Sequence, residues 1–188
     1  MTDYTLQPIP GKTLSRRLPE GTALVLEGGG LRGYYSCGVM EAFMKKDLLF
    51  PYIIGVSAGA ANALSYISGQ PGRSREIIEH YVGNPDYVST RNLLTKHTMF
   101  DFDYIFGTVP EKHIFFDWNK FHEQDTRFLT GAMNCADGKT VWFEKDTLKA
   151  PFMASRASCS VPLITKIQHY MGYDLLDGGI SDPIPIFD

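Results

Sequence analysis

No stretch of this chain is apolar for long enough to cross a bilayer. The longest apolar run, Leu48 to Val56, is broken by Pro51 and Gly55 and falls far short of the roughly 18 residues a spanning helix needs. The first twenty residues, MTDYTLQPIPGKTLSRRLPE, contain no apolar block of the ~7–15 residues typical of a secretory leader. The expectation is a soluble cytoplasmic protein, at most in peripheral contact with a membrane. Cysteine is scarce: Cys37, Cys135 and Cys159 are odd in number and far apart, which suits neither a disulfide framework nor a CxxC redox or metal site. Positive charge is not in excess either. With 18 basic against 21 acidic residues the net charge is -3, so no broad cationic field exists to neutralise phosphates, and nucleic acid is not an expected partner. What the chain does have is apolar substance. At 44% hydrophobic and 21% charged residues over 188 positions, it can bury the core of one domain and is not a disordered polymer.

Residues 1–21, with Pro8, Pro10, Gly11 and Pro19, read as an irregular N-terminal arm, and residues 22–188 as the domain proper. Thr22-Ala-Leu-Val-Leu-Glu27 is a short apolar run ending in glycines, the pattern of a parallel strand covered on both faces, and it is expected at the centre of the sheet. A helix is expected over 34–48, burying Tyr35, Val39, Phe43 and Met44, with Lys45 and Lys46 in its last turn. Tyr52-Ile-Ile54 repeats the strand pattern. Gly55 to Gly59 turn the chain, and 60–67 continue as a second helix. Two successive strand–turn–helix units with right-handed crossovers imply an α/β layered fold. A further helix is expected at 74–82, short helices and loops over the aromatic stretch 99–121, and a hairpin through Asp137-Gly138. Then come a helix at 150–158 and two strands flanking Met171-Gly172.

Three patterns carry chemistry. Gly28-Gly-Gly-Leu-Arg-Gly33 lies between a strand and a helix, where backbone N–H groups can stabilise a phosphate or an oxyanion. It is neither a dinucleotide fingerprint, since position 53 is isoleucine, nor a Walker loop. The bland reading is a turn used for close packing. Gly55-Val-Ser-Ala-Gly59 is a G-x-S-x-G elbow on a strand-to-helix turn, whose small residues leave the Ser57 hydroxyl clear of the backbone; an ordinary serine in a packed turn is the alternative. Leu175-Leu-Asp-Gly-Gly179 delivers Asp177 at the end of an apolar strand. Partial burial would raise its pKa and make it a better proton acceptor, although Asp-Gly alone is a common turn signal. A serine nucleophile needs a base. Among the five histidines only His169 lies near the third motif, and it sits before the turn, not in a loop beyond the acid.

Taken together, and in this order, these motifs resemble those of the patatin-like phospholipase family over about residues 22–182. The resemblance implies a three-layer α/β/α sandwich with a mainly parallel central sheet and a serine acyl hydrolase with a Ser57–Asp177 dyad in place of a triad. Gly28, Gly29 and Gly30 would supply the oxyanion hole, with Arg32 and Gly33 beside it and Gly55 and Gly59 shaping the nucleophile elbow. It implies an ester or lipid substrate and no metal or cofactor, in keeping with the absence of zinc-like His and Cys spacing. Ala154-Ser-Arg-Ala-Ser158 with Val161-Pro162 also looks like the family's segment before its aspartate. Arg32 has a second reading as a solvated helix-start residue. Cys37 reads as a small buried residue, and the aromatics between Phe100 and Phe121 as core in preference to an acyl-chain groove. The chain ends nine residues after Gly179, where family members usually continue with another strand and several helices, so a C-terminally shortened domain is expected. The rival functions are a catalytically silent lipid binder and a phosphate or nucleotide binder using the glycine loop.

Overall fold

The computed structural model describes residues 9–187. The segment 1–8 of the expected arm lies outside them. Residues 9–21 do not hang free: Leu14 is buried, and strand β1 (Arg16–Arg17) pairs in parallel with β3 (Leu48–Leu49). The remaining strands form a six-stranded sheet. β2 (Ala23–Leu26), β4 (Tyr52–Val56) and β5 (Arg127–Asn134) run parallel in that order. β6 (Thr140–Glu144) and β8 (Tyr173–Asp177) pair antiparallel with β5, and β7 (Gln168–Tyr170) pairs antiparallel with β8. Parallel pairing thus fills the first half of the sheet. The second half is antiparallel because two tight hairpins build it, one turning at Gly138 and one at Met171-Gly172, where both residues have positive φ as a two-residue primed turn requires.

Helix α1 (Gly33–Lys45) follows β2, and α2 (Ser57–Ile67) follows β4 without an intervening loop. Because β2, β4 and β5 are laid down in one direction across the sheet, right-handed crossovers place α1 and α2 on the same face. The register sets Leu24, Ile53 and Phe128 side by side on that face. There they meet Met40 and Met44 of α1 and Ala60, Ala63 and Leu64 of α2 in one continuous core. Helices α3 (Arg73–His80) and α4 (Thr90–Lys96), a π-helical segment at Tyr104–His113, and helices α5 (Trp118–Glu123) and α6 (Met153–Ser158) complete the helical set. Phe106, Phe116, Phe121 and Phe152 join the same core, edge to face or tilted against one another. The aromatic stretch is therefore packing, apart from the exposed Phe115.

The α/β fold expected from the sequence is present, with a sheet that is parallel in its first half and antiparallel in its second. On the opposite face of the sheet Ile54 and Leu129 are buried as well. Two expectations are corrected. The strand at 22–27 ends the described sheet and is not central in it; its half-exposed pattern shows that an apolar run does not by itself report two covered faces. In α1 the inward residues are Cys37, Met40 and Met44, with Val39 and Phe43 half-buried, while Tyr35 is 82% exposed.

Candidate active site

The sheet register brings the two distant motifs together. Along β5, Gly131 is opposite Val56, the last residue of β4, and the next residue, Ala132, is opposite Asp177, the last residue of β8. β4 arrives parallel and β8 antiparallel along the same edge of β5, so their C-terminal ends meet head-on, about one residue step of ~3.3 Å apart. Ser57 follows Val56 immediately. Its Oγ donates to Asp177 Oδ2 at 2.7 Å, and both residues are largely buried, at 9% and 5% exposure. Asp177 Oδ1 accepts the Gly179 N–H at 2.8 Å. Burial pushes the Asp177 carboxyl above its ordinary value of 3.8, against the opposing hydrogen bonds from Ser57 and Gly179.

Ser57 is held in the left-handed region, φ 51°, between extended Val56 and its helix. A non-glycine residue there carries strain of order 1–3 kcal/mol, and only the smallness of the surroundings permits so sharp an elbow. A Cβ on Gly59 would stand 2.5 Å from the Leu26 carbonyl oxygen, so α2 leaves the sheet in contact with the end of β2. Gly55 lies directly beneath the first turn of α2, against Ala60. In the third motif the glycines act by close approach, with no positive φ at either. A Cβ on Gly178 would fall 2.2 Å from the Gly131 carbonyl oxygen.

The glycine loop passes beside this pair. Gly28 is next to the Ser57 side chain, where a Cβ would lie 3.1 Å from that of Ser57. Its N–H donates to the Pro183 carbonyl at 3.3 Å. Gly29 and Gly30 lead into the short turn that starts α1, and the Gly29 carbonyl accepts the Arg32 N–H. Arg32 is exposed, with its guanidinium folded against Gly29. Gly33 begins α1, and its carbonyl accepts from Asn62 Nδ2 of α2 at 3.2 Å, tying the loop to the helix of the elbow. Four of the five histidines are engaged elsewhere: His169 pairs with Asp174 on the exposed hairpin, His80 with Glu76, His122 stacks on Trp118, and His113 packs against Tyr81 and Tyr104, while His97 is exposed at the C-terminal end of α4. Cys37 is buried, its thiol pushed up to about 11 by desolvation. Among the described residues no group of His, Cys, Asp and Glu is placed to hold a metal ion, and no helix is long and apolar enough to cross a membrane.

Two polar residues of this neighbourhood were not singled out from the sequence. Asn62 carries no motif signal. Ser158 lies in the stretch noted before the aspartate, without a role. Its hydroxyl is fully buried, accepts the Ser57 N–H at 2.7 Å and donates to the Gly131 carbonyl at 2.6 Å.

The chain belongs to the patatin-like phospholipase family, whose model matches residues 24–188. It is 30% identical over 186 residues to the uncharacterized protein YjjU of Escherichia coli K12, covering 97% of this chain and 52% of that protein. It is 26% identical over 182 residues to mouse 1-acylglycerol-3-phosphate O-acyltransferase Pnpla3, covering 88% of this chain and 41% of that protein. The crystal structure of VipD from Legionella pneumophila superposes with a TM-score of 0.58 at 15% identity, over 98% of this chain and 52% of that one. The chain thus spans close to half the length of the relatives it matches.

Proposed function

We propose that residues 22–188 form the catalytic domain of a serine acyl hydrolase acting on lipid or other carboxylic esters. The observation that carries this reading is the buried 2.7 Å hydrogen bond from Ser57 Oγ to Asp177 Oδ2 beside the glycine loop. As Oγ attacks the ester carbonyl carbon, its proton passes to Asp177, whose desolvated carboxylate is a stronger base than one in water. The carbonyl oxygen becomes an oxyanion, stabilised by the N–H groups of Gly29 and Gly30. The Gly28 N–H joins them only if it leaves the Pro183 carbonyl. One such donor is worth roughly 3–4 kcal/mol in acyl transfer. Collapse breaks the bond to the leaving alcohol, which takes the proton from Asp177. Water then attacks the acyl-enzyme, its proton passes to Asp177, and the acid departs as Ser57 recovers its hydrogen.

An exposed apolar rim at the loop, Leu31 at 63% and Tyr35 at 82% exposure, supports contact with a lipid surface. The free cysteines accord with a reducing, cytoplasmic location. Turnover of short-chain p-nitrophenyl esters, lost by at least about 10³-fold in Ser57→Ala, tests the reading. Absence of turnover across several chain lengths would favour a lipid-binding protein instead. An alcohol can replace water at the acyl-enzyme, and the mouse relative is named for such a transfer. Adding 1-acylglycerol 3-phosphate to the assay and looking for a doubly acylated product separates transfer from hydrolysis.

A further inference from the structure

We infer that Ser158 is a positioning residue for the nucleophile, and that the short segment Ser158–Ser160 holds both members of the dyad in register; this rests on the hydrolase reading above. Ser57 is the first residue of α2 and its N–H has no partner inside that helix. The one it finds is Ser158 Oγ at 2.7 Å, and the same hydroxyl hands its own proton to the Gly131 carbonyl at 2.6 Å. Gly131 is the β5 residue opposite Val56 and adjacent to the one opposite Asp177. One fully buried hydroxyl therefore bridges the strained elbow and the strand on which both dyad members are registered. Two residues on, the Ser160 carbonyl accepts the Asp177 N–H at 2.8 Å. A side chain thus grips the backbone of the nucleophile and a carbonyl grips the backbone of the acid, from the same end of α6.

That end is itself fixed. Ser160 Oγ donates to the Arg156 carbonyl at 2.7 Å, and Arg156 is anchored to the Pro151 carbonyl and to Asp103. A left-handed serine persists only where its surroundings over-determine it, and the Ser158 bridge is the polar part of that constraint. Without it the Ser57 N–H is left buried and unpaired, and the elbow can relax so that Oγ swings from Asp177. A displacement of the order of 1 Å is enough to cost up to about 100-fold in rate.

The test is the rate at which a fluorophosphonate probe modifies Ser57, followed by intact mass and peptide mapping and expressed per folded molecule. Ser158→Ala removes both hydrogen bonds. Ser158→Cys keeps the site filled, with a somewhat larger sulfur that is only a weak acceptor, and it carries the test if the alanine variant does not fold. Ser155→Ala is the control: its hydroxyl, also buried in α6, has no partner. Labelling is expected to slow roughly 10- to 100-fold in the Ser158 variants, with kcat falling and KM little changed for ester turnover, while Ser155→Ala reacts at the wild-type rate. Wild-type labelling rates in folded Ser158→Ala or Ser158→Cys would overturn the proposal and leave the hydrolase reading standing. A wild-type protein that is never modified at Ser57 would overturn both.

Discussion

At the scale of single residues, the site is built from groups that cost stability. Burial raises the Asp177 pKa, so the folded protein binds this proton more readily than the unfolded chain does. The contribution to stability is fully present below the ordinary value of 3.8 and is lost as pH rises through the raised native value. Asp177→Asn keeps an acceptor for the Gly179 N–H and removes the buried charge. It is expected to unfold a few degrees higher than wild type at neutral pH, the gap closing as pH falls below the carboxylate range. Thermal unfolding at several pH values checks this. The same substitution is expected to lower ester turnover roughly 10³- to 10⁴-fold, and wild-type activity should fall on the acid side as Asp177 takes up its proton. Ser57 carries a cost of a different kind, in its φ of 51°. Ser57→Gly should therefore have a higher Tm than Ser57→Ala, since only glycine adopts that backbone without strain; equal Tm values would mean that the elbow is not strained.

At the scale of elements, the junction of β4 and β8 on one edge of β5 explains why residues 120 apart in sequence meet. It also sets which glycines matter. Gly178→Ala drives a Cβ against the Gly131 carbonyl and is expected to destabilise by about 1–3 kcal/mol while reducing turnover, because relief requires the end of β8, which carries Asp177, to move away from β5. Gly83→Ala, in open space, should do neither; denaturant titration of the two variants makes the comparison. Much of this was legible in the sequence. The strand–turn–helix units, the Asp137-Gly138 hairpin and the Met171-Gly172 turn are written locally, in apolar periodicity and in residues that tolerate positive φ. The three motifs likewise announce themselves as short strings. The pairing of β8 beside β4 is a long-range register that no local pattern encodes, and Ser158 acts through backbone groups remote in sequence. Helix α4 was missed because its apolar residues, Leu93 and Leu94, are adjacent and at the surface, so no inward stripe marks it. The outward placement of Tyr35 in α1 is not legible locally, because Tyr35 fits a helical period as well as Cys37 does.

At the scale of the whole molecule, one core joins α1, α2, α5 and α6 to β4, β5 and β8. Elements sharing one core should unfold together, so far-UV circular dichroism and the combined fluorescence of Trp118, packed against Phe116 and Phe152, and Trp142, packed over Gly131, are expected to report coincident transitions. Separate midpoints would show that parts of the molecule unfold independently of one another. In the proposed mechanism the sheet sets the distance between hydroxyl and carboxylate, both of which are largely buried. The most direct measurement of that chemistry is acid-quenched mass spectrometry of the protein during turnover of a p-nitrophenyl ester. The account predicts an acyl adduct on the peptide carrying Ser57, formed in the wild type and absent in Ser57→Ala, with its formation slowed in Asp177→Asn. Turnover that persists in Ser57→Ala, or an adduct mapped to any other side chain, would contradict it.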